Sequence, residues 1–304
     1  MAVEIMTDKN SAVNIKPPKS MSPWAIARRK FIRNKLAMIS LCFLVFVCIV
    51  SFLAPYITTH DITRINMGSF SLEPSSEHWL GTDKNGRDVF TRLLYGGRIS
   101  LFIGLACTAF VIVTGTIIGS IAGYFGGTID NLLMRFTDFV LTFPFLVFVI
   151  VLNAILQNKV SGVWVLIMVI SGLSWGGVAR IVRSKILAEK ENEYVLAAIS
   201  IGCSPFKVII KHLLPNVLST IIVQATILFA SMIVAETGLS FLGFGVPSET
   251  PSWGNMLSFA NEPDVLQDKP WIWIPPALAV TLTILSINFI GEGLKDALNP
   301  KSYR

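Results

Sequence analysis

The sequence predicts an all-α polytopic membrane protein with six transmembrane helices, because its composition, its charge-free stretches and the placement of its basic residues agree. Hydrophobic residues make up 53% of the 304-residue chain and charged residues only 14%, and the mean hydropathy is +0.64. A soluble domain would carry roughly a quarter charged residues. The composition therefore favours a chain that is mostly embedded in lipid.

Six charge-free stretches are long enough to cross a bilayer, which takes about 20 residues in a helix. The first is too long for a signal-peptide core and lacks a small-residue cleavage site, so we expect it to be retained. The chain then divides into a basic tail over 1–35, a first helix with an outer loop over 36–98, and a five-helix core over 99–304. The six stretches are residues 36–59, 99–122, 139–158, 160–179, 213–235 and 270–291.

The lysines and arginines predict the orientation. Eight of them precede residue 36, and a tail placed in the cytoplasm puts 18 of the 25 basic residues on the inner side. This asymmetry follows the positive-inside rule. We therefore expect both termini and the 180–212 loop to be cytoplasmic. The net charge of +6 is explained by residues that flank lipid, and it gives no reason to expect nucleic acid as a partner.

The cysteines and histidines argue against a metal centre, a disulfide framework and a membrane-embedded enzyme. The four cysteines lack metal-ligand spacing, and His60, His78 and His212 are far apart in the sequence. The chain also contains no Gly-x-x-x-x-Gly-Lys-Ser/Thr loop. Any ATP-dependent activity would therefore need a nucleotide site on another chain.

A secondary carrier or channel would also have six membrane helices, but it should place ionisable groups in the middle of the membrane. Asp138 and Glu236 instead lie near the predicted helix ends, where we expect them to be solvated or paired, Asp138 with Arg135.

Gly115 and Gly119 form a GxxxG pair that permits close helix packing. We expect such small-residue faces to need a partner chain to cover them.

The cytoplasmic loop over 180–216 reads as two short helices separated by a turn. Gly202 supplies the backbone freedom that the turn needs. Ser204 can cap the second helix, Pro205 fits its first turn, and Pro215 is expected to end it. Such a motif between two membrane helices is a candidate surface for binding a partner outside the bilayer.

The outer loop before the second stretch is long enough to fold over an outer mouth. Either Asp83 or the pair Asn85 and Gly86 marks a turn, and residues 88–98 are predicted to form an interfacial helix. We expect Arg87, Arg92 and Arg98 to reach lipid headgroups by snorkelling.

The cytoplasmic loop resembles the EAA loop of ABC-importer permeases. The match is incomplete, because Leu196 stands where the family has glutamate and His212 where it has isoleucine, and Glu193 lies one helical turn earlier. The matching residues are Ala197, Ala198, Gly202, Leu214 and Pro215.

The outer loop is more specifically similar to the C-type permease subunit of oligopeptide and dipeptide importers. Segments 123–144 and 239–256 match the same group, so the resemblance covers nearly the whole chain beyond the tail. Nickel and glutathione importers have similar subunits and remain alternatives. The outer-loop matches include Trp79, Gly81, Thr82, Asp83, Gly86, Arg87, Asp88, Val89 and Phe90.

The resemblance implies a type I ABC-importer permease fold that moves peptides by alternating access, with no cofactor and no catalytic residue. It also implies a second homologous permease, two cytoplasmic ATP-binding subunits and an extracytoplasmic solute-binding protein as partners. Residues assigned to ATPase coupling are Glu193, Tyr194, Ala197, Ala198, Gly202, Ser204, Pro205, Leu214 and Pro215. Residues assigned to the outer mouth are Trp79, Asp83, Arg87, Asp88 and Trp253.

Two physical expectations accompany these assignments. Ala197 and Ala198 are small enough to let a short helix sit deep in a groove of an ATPase. The outer loops over 62–85 and 237–269 should form the docking surface for the binding protein, with Trp253 as part of a lid over the translocation path.

Overall fold

The computed structural model describes residues 23–66, 68–156 and 162–298, and most of these residues are helical. Among them, five helices are long and apolar enough to cross a bilayer, and a bent helix pair can supply a sixth crossing. The predicted all-α polytopic class is confirmed. Most of the basic tail (1–22) and the junction between the third and fourth predicted stretches (157–161) lie outside the described residues.

The helices vary widely in length. A π-helical turn over Ile209–Leu213 joins the ninth to the tenth, and a 3-10 turn over Ser258–Asn261 follows the eleventh. In chain order they are α1 (Pro23–Arg33), α2 (Lys35–Phe52), α3 (Ala54–Ile57), α4 (Val89–Phe125), α5 (Gly127–Thr142), α6 (Phe145–Leu156), α7 (Gly162–Lys190), α8 (Glu193–Ser200), α9 (Pro205–Val208), α10 (Leu214–Phe241), α11 (Trp253–Leu257), α12 (Pro263–Asp268) and α13 (Pro270–Leu298).

The centre of the fold is the long helix α4, which packs most extensively on α7 and also on α10. Helices α2 and α13 pack on each other, α13 packs on α10, and α1 lies against α13. At about 1.5 Å of rise per residue, the 37 residues of α4 span roughly 55 Å, well beyond the bilayer core of about 30 Å. The predicted interfacial helix over 88–98 is therefore the N-terminal end of this single helix.

A row of glycines lets α4 approach α7 closely. A Cβ atom added at Gly119 would lie 2.5 Å from the Ala179 carbonyl oxygen, and one added at Gly115 would lie 2.7 Å from the Val178 Cβ. The close packing expected of the GxxxG pair is confirmed. The expectation that a partner chain must cover this face is wrong, because α7 of the same chain covers it.

The third predicted stretch is broken into α5 and α6, which meet at an angle of 83°. The break falls at Phe143, whose backbone is extended (φ −70°, ψ 135°), immediately before Pro144. A proline disfavours helical backbone in the residue before it, which explains the break. A continuous helix over 139–158 is therefore the wrong description of this stretch.

The fifth membrane helix begins earlier than expected, since helical backbone runs from Pro205 through the π turn to Phe241. Pro215 lies in the first turn of α10 and does not end a helix. A π turn forms i→i+5 bonds, as between the Leu214 N–H and the Ile209 carbonyl, so the chain passes the donor-less Pro215 without leaving the helix. The predicted proline stop is wrong for this reason.

Candidate functional site

The turn after α8 is a Schellman motif with Gly202 in the left-handed region at φ +81°. The Gly202 N–H donates to the Ile199 carbonyl at 2.9 Å, and the Cys203 N–H donates to the Ala198 carbonyl at 3.1 Å. These two bonds satisfy carbonyls that the end of a helix would otherwise leave unpaired. The turn predicted at Gly202 is confirmed.

The start of α9 agrees only in part with the expectation. Pro205 lies in the first turn, and Ser204 has the extended backbone of a capping residue. The Ser204 side chain, however, forms no capping hydrogen bond with any residue that the structure describes. Its contribution to the helix start is therefore confined to its backbone.

Helix α8 has one face inside the protein and one outside. Val195 is buried in the cluster that α7 and α10 build, Ala198 is only 5% exposed, and Ala197 is exposed. Ala198 therefore already packs within its own chain and cannot also enter a groove of a partner. The groove-filling interpretation is wrong for Ala198, while Ala197 faces outward as expected.

Large apolar side chains on this segment remain exposed. Phe206 is 71% exposed and Ile201 is 80% exposed. Apolar side chains that stay exposed in a loop predicted to lie outside the bilayer indicate an interaction surface. The coupling patch consists of Leu196, Ile199, Ile201, Phe206 and Ile210.

Tyr194 connects α8 to both neighbouring membrane helices. Its hydroxyl donates to the Glu189 carboxylate at 2.9 Å and accepts from the Asn216 amide at 2.7 Å. Partial burial and the hydrogen bond to Glu189 raise the pKa of Tyr194, so the phenol stays protonated and can keep donating. A displacement of α8 is thereby linked to the end of α7 and the start of α10.

Ion pairs on the same side attach α5 to α7. Asp130 accepts from both Nε and Nη2 of Arg183, a bidentate arrangement. Asp138 pairs with Arg180, so the expected partner Arg135 is wrong. Helical spacing suggested Arg135, whereas the pair that forms depends on α5 packing against α7.

The outer loop is held together by a buried ion cluster. Asp83 accepts from Arg87 Nε at 2.9 Å and lies 3.6 Å from Arg92 Nε, and all three side chains are at most 5% exposed. Arg87 and Arg92 also donate to the Ser248 carbonyl at 3.1 and 3.2 Å, and Arg92 donates to the Ile62 carbonyl at 3.1 Å. Snorkelling is therefore the wrong description of Arg87 and Arg92, because both side chains are buried and join three segments of the chain.

The other predicted outer-mouth residues occupy different environments. Trp79 is 66% exposed and packs beside Phe90, while Asp88 caps α4 by accepting from the Thr91 N–H at 2.7 Å. Trp253 is only 2% exposed, and its indole N–H donates to the Leu93 carbonyl at 3.0 Å. The sequence-based lid role of Trp253 is wrong, since its ring fills the interior of the chain.

Glu236 lies fully buried in α10, although the sequence suggested a solvated or paired group. Ser100 of α4 and Ser240 donate to its two carboxylate oxygens at 2.9 and 2.8 Å. Ser100 in turn accepts from the Trp253 backbone N–H at 3.1 Å. Glu236 therefore joins α4, α10 and α11 through hydroxyl groups, and no Lys or Arg pairs with it among the described residues.

A cleft of about 400 Å³ opens where α5 bends into α6 against α7 and α10. Its wall is mainly apolar, with hydroxyl groups from two helices, so it suits a partly apolar solute or a neighbouring helix. Sequence reasoning missed this cleft, although Pro144 within an apolar stretch was a signal for the break. Its lining includes Val140, Phe143, Leu173, Ser174, Leu228 and Ser231.

Comparison with known proteins agrees with this architecture. Residues 115–303 match the family described as the binding-protein-dependent transport system inner membrane component, and residues 22–74 match the N-terminal transmembrane domain of oligopeptide transport permease C. The chain is 40% identical to the dipeptide transport system permease protein DppC of Bacillus subtilis over 98% of this chain and 92% of that protein. It is also 40% identical to the oligopeptide transport system permease protein OppC of Haemophilus influenzae, over 92% and 89% of the two chains.

These matches cover both the membrane core and the N-terminal helix, and the identities hold over nearly the full length of each relative. They agree with the apolar helices in making the protein a multi-pass protein of the cell membrane. The chain belongs to the family of binding-protein-dependent transport system inner membrane components, the permease subunits of ABC importers.

Proposed function

We propose that this permease carries dipeptides or oligopeptides across the cytoplasmic membrane. The main support for this proposal is the 40% identity, over 98% of the chain, to a permease named for dipeptide transport. A permease named for oligopeptide transport is equally similar, so the proposal includes both lengths of peptide. Nickel and glutathione, the alternative substrates that the sequence left open, serve as competitors in the uptake test below.

The coupling patch is the surface on which we place a cytoplasmic ATP-binding subunit. Its apolar side chains are exposed on a short helix that is itself fixed to α7 and α10 through Tyr194. The proposed assembly contains two such subunits, a second homologous permease and an extracytoplasmic binding protein. ATP hydrolysis belongs to the ATP-binding subunits, and closure of their dimer would move α8 as a rigid lever.

The chain's division and orientation follow the same proposal. The tail over 1–35 and both termini are cytoplasmic, region 36–98 contributes the first membrane helix and the outer loop, and region 99–304 forms the transport core with its coupling loop at 180–216. The charge asymmetry of 18 inner basic residues out of 25 supports this orientation.

The outer face is the proposed docking surface for the binding protein. Trp79 is exposed, and Glu262 and Asp264 lie on the surface beside Lys84. Asp83 and Arg87 support this surface from beneath, because they are buried. The partly exposed side chains of Lys84, Glu262 and Asp264 can change their ion pairs when a partner docks, while the buried Asp83 and Arg87 keep the loop folded.

Orientation is tested by labelling introduced cysteines in a cysteine-free chain. Ser252 is fully buried, so a cysteine at this position would not react with the reagent and could not report the topology. Glu249 and Ser184 are exposed on opposite predicted sides. A membrane-impermeant maleimide added to intact cells should label Glu249→Cys and leave Ser184→Cys unlabelled. The reverse pattern would overturn the orientation.

Substrate class is tested by uptake in a host that lacks its own peptide importers and expresses the complete set of subunits. A labelled dipeptide or pentapeptide should enter only when ATP and this permease are present. Excess unlabelled peptide should compete, whereas nickel and glutathione should not. Competition by nickel or glutathione alone would refute the peptide proposal and leave the membership of the permease family untouched.

A further inference from the structure

Three potential metal ligands meet on the outer face, although they are distant in the sequence. His60, His78 and Asp88 each offer a ligand atom, and these atoms all lie within 4.8 Å of one another. The two imidazole rings are 5.0 Å apart between centroids. The sequence-based expectation that the histidines are too scattered to form a cluster is therefore wrong for two of the three.

Two of the ligands are held in place before any ion binds. Asp88 uses one carboxylate oxygen to cap α4, which leaves the other oxygen 2.9 Å from His78 Nδ1. The backbone of His78 is fixed by its N–H bond to the Ser75 hydroxyl at 3.1 Å and by its carbonyl, which accepts from Gly81 at 2.9 Å. The side chains of His78 and Asp88 are only 12% and 4% exposed.

His60 completes the cluster from a separate segment. It follows α3 by three residues, and its side chain is exposed, with Nε2 lying 3.3 Å from the Glu77 carbonyl oxygen. Two clefts of about 200 and 360 Å³ border the cluster, and His60, Glu77 and Asp88 line both of them. An ion and its water ligands therefore have both access and space.

We propose that His60, His78 and Asp88 bind a divalent transition-metal ion, with zinc as the best-suited one. Neutral imidazole and carboxylate groups are ligands that Zn²⁺ prefers at about 2.0–2.1 Å, and three protein ligands leave a fourth position for water. The short bond from Asp88 to His78 would open slightly to admit the ion. The bound ion would join the segment after the first membrane helix to the start of the second, and so fix the outer loop.

The test measures zinc binding to the full-length chain, purified with its co-purifying subunits through an affinity tag that contains no histidine. Equilibrium dialysis against Zn²⁺ in excess Mg²⁺, followed by elemental analysis, gives the stoichiometry and affinity. The expected result is one zinc per chain at this site. His60→Ala should weaken binding at least about tenfold, since even loss of a supporting residue outside the ligand set costs about 10–100-fold.

Two further variants separate binding from folding. Asp88→Asn keeps a good helix cap but removes the carboxylate charge, so it should also lose zinc. His212→Ala is the matched control, because His212 lies in the cytoplasmic coupling segment and should leave binding unchanged. Zinc should raise the apparent unfolding temperature of the wild type and of His212→Ala but not of His60→Ala. No zinc on the wild type, or equal affinity in His60→Ala and His212→Ala, would overturn the proposal.

Discussion

Replacing Gly119 by alanine should weaken the packing of α4 on α7. The added Cβ would lie 2.5 Å from the Ala179 carbonyl oxygen and 2.9 Å from the Val182 Cβ. Both distances are too short for a real contact, and one neighbour is backbone, so a helix must move. Overpacking of this kind costs about 1–3 kcal/mol.

The intrinsic helix preference of alanine opposes that cost. A glycine-to-alanine change inside a helix favours the helix by up to about 1 kcal/mol. Gly172→Ala in α7 is the matched control, because a Cβ added at Gly172 meets nothing within 4 Å. The free energy of unfolding of Gly119→Ala should therefore lie about 1–3 kcal/mol below that of Gly172→Ala.

Thermal unfolding in detergent, followed by the loss of monodisperse protein in size-exclusion chromatography, gives the comparison. Gly119→Ala should unfold several degrees below Gly172→Ala at equal expression. If the two variants unfold at the same temperature, α4 and α7 do not approach as closely as the structure shows.

Two other substitutions test the outer cluster and the coupling turn. Asp83→Asn leaves Arg87 and Arg92 buried without their carboxylate, so it should cost about 3–5 kcal/mol of stability in the same assay, whereas Lys84→Ala at the surface should cost at most about 1 kcal/mol. Equal effects of these two changes would refute the buried ion cluster. Gly202→Ala places a side chain at φ +81° and should cost about 1–2 kcal/mol and lower peptide uptake, while Gly202→Asn, which tolerates this backbone, should retain more uptake. Equally low uptake by both variants would show that the positive φ is not the reason why glycine is needed at position 202.

Apolar stretches and glycine spacing predicted much of the fold. Five of the six charge-free stretches correspond to α2, α4, α7, α10 and α13, because a long apolar run has few alternatives to a membrane helix. Gly202 and Pro205 predicted the coupling turn. Glycine can adopt the positive φ that the turn needs, and proline fixes a φ that suits the first turn of a helix. Both are properties of single residues or continuous segments, so they can be inferred from the sequence without knowledge of the packing.

Features that depend on distant segments were not predictable in this way. Arg92 looked like a headgroup anchor until packing placed it beside Asp83 and the Ser248 carbonyl. Glu236 is buried because Ser100, 136 positions away, supplies a hydroxyl. His60 meets Asp88 only because the outer loop folds back on α4.

The central claim, that the coupling patch transmits work from a separate ATP-binding subunit, is tested most directly at Phe206. This side chain is 71% exposed on α9, so Phe206→Asp should leave the chain folded and inserted. Ser184→Asp, an exposed position on α7 outside the patch, adds the same charge as a control. In the complete reconstituted importer we predict that Phe206→Asp lowers peptide uptake and peptide-stimulated ATP hydrolysis at least about tenfold, because a carboxylate in an apolar contact costs more than the 1.4 kcal/mol that a tenfold loss represents. Ser184→Asp should behave like the wild type. Normal uptake by well-inserted Phe206→Asp would contradict the account.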